Sequence, residues 1–174
     1  YSTAGPSGGY EFWAKTADPN IADVKPLSPS PGVVKLSILM KNGELPTQSV
    51  LDSVQAVLSP KNRRPQTDYV QTAAALQDPY NIELTYYISS ERKMEEAAII
   101  TAVEGTDGAI EKYRLWQKSK QGRAINPDYL RQLMLNAGAY RINIISPIYT
   151  PVAQDHVAKD VSVTITYGGL VDEA

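Results

Sequence analysis

The sequence predicts an α+β fold: two small subdomains, each a mostly antiparallel sheet with helices packed on one face. Two patterns lead there. Apolar residues recur at strand spacing and at helical spacing in both halves of the chain, in a similar order. Between these runs lie short clusters of Pro, Gly, Asn and Asp that punctuate the elements. The composition allows it, because 174 residues with 43% hydrophobic and 21% charged side chains suffice for one domain or two small ones. The division is placed at Gln77-Asp78-Pro79. That gives a first subdomain over residues 1–77 and a C-terminal one over residues 78–174.

In the first half, Thr3-Ala4-Gly5-Pro6-Ser7-Gly8-Gly9 reads as a flexible entry. Tyr10, Trp13, Ala14 and Ala17 follow at helical spacing, and Asp18-Pro19 stops that helix. Residues 21–27 read as a strand, Ser28-Pro29-Ser30-Pro31-Gly32 as a turn, and 33–40 as a second strand that ends at Asn42-Gly43. Pro46-Thr47 opens a helix whose apolar face is Val50, Leu51, Val54, Val57 and Leu58, and Ser59-Pro60 ends it. A basic loop, Lys61-Asn62-Arg63-Arg64-Pro65, and a polar stretch at 66–68 lead to a strand over 69–75.

In the second half, Ile82, Leu84, Tyr86 and Ile88 alternate with polar partners, the period of a half-buried strand. Residues 94–117 read as mostly helical, with Ala98, Ile99, Val103, Ile110 and Tyr113 on one stripe. Gly105 and Gly108 weaken its middle. Asn126 as N-cap and Pro127 at the first helical position open a further helix with Leu130, Leu133, Met134 and Ala137 as its apolar face. Gly138 is expected at its left-handed C-terminal stop. Strands over 140–145 and 161–167 close the chain. The connections read as hairpin-like.

Composition narrows the chemistry. There is no cysteine, so disulfides and thiolate catalysis are excluded. The formal net charge of −2 supplies no basic field toward DNA or an anionic membrane. Apolar runs such as Ala97-Ala98-Ile99-Ile100 are far too short to span a bilayer. The chain opens with Tyr1 rather than Met, which reads as a fragment or a processed product. Eleven tyrosines against two tryptophans and one phenylalanine suit half-buried strand positions and wet interfaces.

Four groups bear on catalysis or binding. Gly5-Pro6-Ser7-Gly8-Gly9 precedes a helix but follows no strand and lacks the Gly-Lys-Ser/Thr ending of a P-loop, so a helix entry is preferred over a phosphate cradle. His156 is the sole histidine, and a hydrolase would have to use it with neighbouring Asp155. Adjacent side chains are expected to diverge and no Gly-x-Ser-x-Gly elbow is present, so His156 is read as a solvated loop residue. Glu91, Glu95, Glu96, Glu104, Asp107 and Glu111 form no metal-ligand pattern and read as a solvated helix face. Lys112, Arg114, Lys118, Lys120 and Arg123, with Trp116 among them, are the basis for an alternative nucleic-acid-binding reading of residues 112–123. Cations completing a helix C-terminus is the preferred reading of that run. No catalytic, cofactor-binding or metal-binding residue is assigned, and no cofactor is expected.

An ordered series of motifs remains. It comprises Ala4-Gly5-Pro6-Ser7-Gly8-Gly9-Tyr10-Glu11-Phe12-Trp13-Ala14, Ile21-Ala22-Asp23-Val24, Ser28-Pro29-Ser30-Pro31-Gly32, Arg64-Pro65-Gln66-Thr67-Asp68 and the strand at 81–88. It continues through residues 115–130, Asn136-Ala137-Gly138-Ala139, Ile145-Ser146-Pro147-Ile148-Tyr149 and Thr166-Tyr167-Gly168-Gly169-Leu170. Their order and spacing resemble the baseplate J family of contractile phage tails and phage-derived particles. The resemblance implies a non-enzymatic wedge component in a six-fold ring around the tail tube, with wedge, tube and sheath proteins as partners. It implies a location in the virion tail baseplate, or in the host bacterial cytoplasm during assembly or when encoded by a prophage; the charge balance and short apolar runs disfavour nucleic acid and exclude a membrane as partner. The family is longer than this chain, so the resemblance makes it the middle and C-terminal portion. The family has no known catalytic residues, so none are carried over.

Overall fold

The computed structural model describes residues 7–58 and 69–173, and its fold is α+β. The residues form two compact units. The first takes in the described residues up to Gln77 together with Lys118–Arg123 and Val152–Val157; the second takes in Asp78–Gln117, Ala124–Pro151 and the described residues from Ala158.

In the first unit, helix α1 (Ser7–Ala17) buries Tyr10 and Ala14 and packs Trp13 and Ala17 against the same core. Ser7, Gly8 and Gly9 lie in its first turn, so the helix starts earlier than the Gly-rich entry suggests; residues 3–6 lie outside the described residues. After α1 the Asp18 carboxylate accepts the Asn20 N–H at 2.8 Å, turning the chain into strand β1 (Ile21–Ser30). β1 runs past the expected stop at Leu27. Pro26 and Pro29 are tolerated because β1 is an edge strand, where a missing N–H need not break the ladder. The turn shrinks to Pro31-Gly32, with Gly32 at φ +74°, the left-handed region that the second corner of a Pro-Gly turn requires. Strand β2 (Val33–Met40) pairs antiparallel with β1.

Helix α2 (Gln48–Leu58) buries Leu51, Val54 and Leu58 of the expected apolar face, while Val50 and Val57 are half-buried. Strand β3 (Tyr69–Ala74) then lies parallel to β2, with Val33 opposite Tyr69 and Ile38 opposite Ala74. A parallel pair needs a crossover rather than a hairpin, and α2 lies in that crossover. This departs from the hairpin-like connection the sequence suggests. The features expected at residues 59–68 lie outside the described residues. On one face of the sheet, Leu36, Ile38 and Met40 share a core with the two helices. On the other, Leu39 packs with Ala75 and Val157, and Ser37 meets Gln121.

Strand β4 (Leu76–Ser89) is the centre of the second sheet, whose order is β5-β4-β6. Gln77-Asp78-Pro79 therefore lies within a strand. Tyr80, Ile82, Leu84, Tyr86 and Ile88 are buried, while Glu83 is exposed and Thr85 and Tyr87 are half-buried. Strand β5 (Arg141–Ser146) pairs antiparallel, with Leu84 opposite Ile144 and Tyr86 opposite Ile142. Strand β6 (His156–Val171) is far longer than the expected 161–167. Asn81 meets Ser162, Tyr86 meets Tyr167 and Tyr87 meets Gly168, so contacts advance together along both strands and β6 runs parallel to β4. Both sheets are thus mixed.

The helical stretch expected over 94–117 is divided. A 3-10 stretch at Ser90–Glu95 leads into helix α3 (Glu96–Glu104), and helix α4 (Ala109–Gln117) follows a break. The break falls at the two glycines. A Cβ would come within 2.5 Å of the Thr101 carbonyl at Gly105 and within 2.8 Å of the Val103 carbonyl at Gly108. Ile99, Val103, Ile110 and Tyr113 are buried, but Ala98 is exposed and leaves the stripe. Helix α5 (Pro127–Asn136) starts as expected, with the Asn126 side chain accepting the Asp128 N–H at 3.1 Å. Leu130 and Met134 are fully buried, whereas Leu133 and Ala137 are only half-buried because the buried face is narrower than the apolar one. Gly138 has φ +116°, and a Cβ there would meet Ile99, so both conformation and space require glycine.

Candidate functional site

His156 opens β6 rather than sitting in a loop. Its carbonyl accepts the Gly122 N–H at 2.9 Å. Contrary to the expected divergence, its Nε2 lies 3.7 Å from the Asp155 carboxylate, whose other oxygen is 3.6 Å from Lys35 Nζ. The charges form a cluster at the side of β2. Ser37, the buried hydroxyl nearby, donates to Gln121 Oε1 instead of to the imidazole. Gln121 in turn donates to the Ser37 carbonyl at 3.0 Å and, through its own backbone N–H, to Asp23 at 2.9 Å. This is a satisfied polar network of the kind that fixes register. Sequence reasoning missed it: Gln121 sits in a run of Lys, Ser and Gln that looks solvated.

The basic run does not form one helix terminus. α4 ends at Gln117, and Lys118–Arg123 belongs to the first unit while Lys112 and Arg114 belong to the second. Arg114 is paired with Asp160 at 2.8 Å and also with Glu111, and Arg123 donates to Ser119. Trp116 packs against Tyr129 with ring centroids 4.3 Å apart and lies beside Tyr113, so its ring is engaged within the second unit. Buried Gln117, also unflagged by sequence, closes the turn between α4 and α5. It accepts from the Tyr113 hydroxyl at 2.9 Å and donates to the Ala124 carbonyl at 3.0 Å.

The acidic residues are not simply a solvated face. The Tyr86 hydroxyl donates to Glu104 and the Tyr167 hydroxyl donates to Glu96, both at 2.6 Å, and the two rings lie 5.2 Å apart. Burial, then the bonded carboxylate, pushes the Tyr167 phenol up to about 12 and raises Tyr86 further. Glu95 pairs with Arg92, which holds its carboxyl below the usual range. Among the described residues no three His, Cys, Asp or Glu side chains are grouped to hold a metal ion. Nor is any helix among them long and apolar enough to cross a membrane.

The tyrosines divide by role. Tyr10, Tyr80, Tyr86 and Tyr113 are buried, two of them on helices, whereas Tyr69, Tyr140 and Tyr149 are exposed. The expected half-buried strand positions describe Tyr87 and Tyr167 well. Tyr87 lies under the Arg141 guanidinium at 4.1 Å and against Gly168, where a Cβ would come within 2.3 Å of the ring. Exposed apolar side chains also mark Ile145, Ile148 and Val161. A groove of about 540 Å³ runs along β3 and α2, lined by Lys35, Asp52, Gln55 and residues 69–73.

Residues 2–74 match the model of the baseplate J-like central domain. Over 150 residues the chain is 29% identical to baseplate protein J of Escherichia phage P2, covering 84% of this chain and 47% of that protein. The chain thus spans about half the length of the curated relative it matches. The cryo-EM structure of the six-fold symmetrised baseplate of the anti-feeding prophage matches with a TM-score of 0.60. That match has 12% identity and covers 90% of this chain and 37% of the other, a likeness of fold. The family match lies in the first unit, and the similarity to the phage P2 protein extends well beyond it. The chain is thus similar to a baseplate J protein over most of its length, and its first unit matches the baseplate J-like central domain.

Proposed function

We propose that this chain is a structural component of a phage or phage-like contractile tail baseplate that works through protein–protein contacts and carries out no catalysis. The observation that carries the reading is the similarity to baseplate protein J of phage P2 over 84% of the chain. Local contacts support it: Arg114 and Trp116 of the basic run, and Asp155 and Ser37 near His156, are engaged by neighbouring side chains. Its partners are other baseplate components, specifically wedge, tube and sheath proteins in a six-fold particle. It resides in the virion tail baseplate and, during assembly, in the host bacterial cytoplasm. A co-expression pull-down with the tail proteins encoded beside it tests this. Capture of a wedge or tube protein is expected. Failure to bind any of them, together with reproducible turnover of a screened substrate, overturns the reading.

The subdomain division near Asp78 is part of the same proposal. Lys118–Arg123 and Val152–Val157 complete the first body, because they cover the second face of β2. Native-state hydrogen exchange should show the Gln121 and Gly122 amides opening with β2 rather than with α4. Exchange of those amides together with α4 contradicts the assignment.

A further inference from the structure

Among the described residues, no strand pairs with the outer edge of β3. Tyr69 donates its N–H to the Gly32 carbonyl and Ala75 donates to the Ile38 carbonyl, so odd-numbered backbone groups of this stretch face β2. Even-numbered groups then face away. Gln55 Nε2 confirms the direction by donating to the Val70 carbonyl at 2.9 Å. The N–H and C=O of Thr72 point the same way, and among the described residues β3 pairs with β2 alone. These groups border the groove of about 540 Å³, whose far wall is the Gln48, Asp52 and Gln55 side of α2. A strand edge beside a helix, with main-chain groups that no described strand takes up, is the geometry that accepts an extended peptide as an added strand.

The groove also has a sign. Asp52 accepts a neutral amide from Gln48 at 2.9 Å and has no cation paired with it among the described residues. The other charged side chain in the groove, Lys35, is already paired with Asp155. A positive side chain in the incoming strand is therefore the complement.

We propose that β3 and Asp52 dock an extended, basic segment of a partner protein by strand addition, with a lysine or arginine of that segment against Asp52. The proposal rests on the reading that the chain acts through protein contacts, but its test needs no tail protein, so the two can fail separately.

The probe is an eight-residue peptide of alternating threonine and lysine, titrated into the full chain and followed by amide NMR. The Thr72 amide should shift, and its hydrogen exchange should slow. A peptide with glutamate in place of lysine should bind more weakly, and Asp52→Asn should weaken the lysine peptide about two- to fivefold, the range of an exposed ion pair. A proline at the peptide centre should abolish the β3 shifts, because it removes a ladder donor. Shifts confined to other elements, unchanged affinity in Asp52→Asn, or no binding overturns the proposal. Self-association of the chain that alone protects Thr72 assigns the groove to a second copy and overturns it equally.

Discussion

β2 and β4 hold the same place in their sheets, each a central strand with one antiparallel and one parallel neighbour, yet they bury different numbers of faces. From Leu36 to Met40 every residue of β2 is buried, including Ser37. Along β4 burial alternates strictly from Tyr80 to Ile88. The difference follows from what lies on the second face. In the first unit Ala75, Val157 and Gln121 cover it; in the second, Thr85, Tyr87, Asn143 and Arg141 form a largely polar surface in cross-strand register. A near-continuous apolar run marks a strand covered twice, and alternation marks one covered once.

The largest expected effect tests this directly. Leu39→Ala, on the second face of β2, should cost about 2–5 kcal/mol in a denaturant melt. Thr85→Ala, at the matching face of β4, should stay within about 0.5 kcal/mol. Equal effects would erase the distinction between the strands. Next comes the packing that orders the open face of the second sheet. Gly168→Ala drives a Cβ into the Tyr87 ring and should cost about 1–3 kcal/mol by overpacking. A neutral result would show that Tyr87 swings freely. Asn126→Ala should cost about 1 kcal/mol through the lost cap of α5, measured in the same way.

The smallest effect is one of pH. The folded-state pKa of Tyr167 is raised from 10.0 to about 12, so its contribution is fully present below pH 10 and is lost as pH rises through 12. Tyr167→Phe should flatten the part of the alkaline decline between those values. An unchanged pH profile would show that the hydroxyl is not held by Glu96.

Single elements were legible where the spacing of side chains alone settles the matter. The burial of Ile82, Leu84, Tyr86 and Ile88, the buried face of α2, the Asn126 cap and the Gly138 stop all follow from local periodicity and backbone preference. The break at Gly105 and Gly108 was legible as a weakness, though not as two separate helices. Ala98 and Leu133 were misplaced because an apolar stripe shows what can be buried, while the partner's width decides what is. His156 read as a loop residue because Val157 and Ala158, both buried, continue β6 well before the alternation at Val161 becomes visible.

The sequence alone therefore determined the class, most helices and strands, and the absence of thiol chemistry, and its ordered motifs resembled the baseplate J proteins to which the chain is similar. It could not determine strand partners. Antiparallel β1–β2 is announced by a tight turn, but nothing local states that β3 lies parallel to β2 or that β6 lies parallel to β4. Nor does any local pattern bring Gln121 to Ser37 or Val157 to Leu39, across 84 residues in the first case. Those contacts come from burying the second apolar face of β2, a requirement of the whole unit rather than of any stretch of chain.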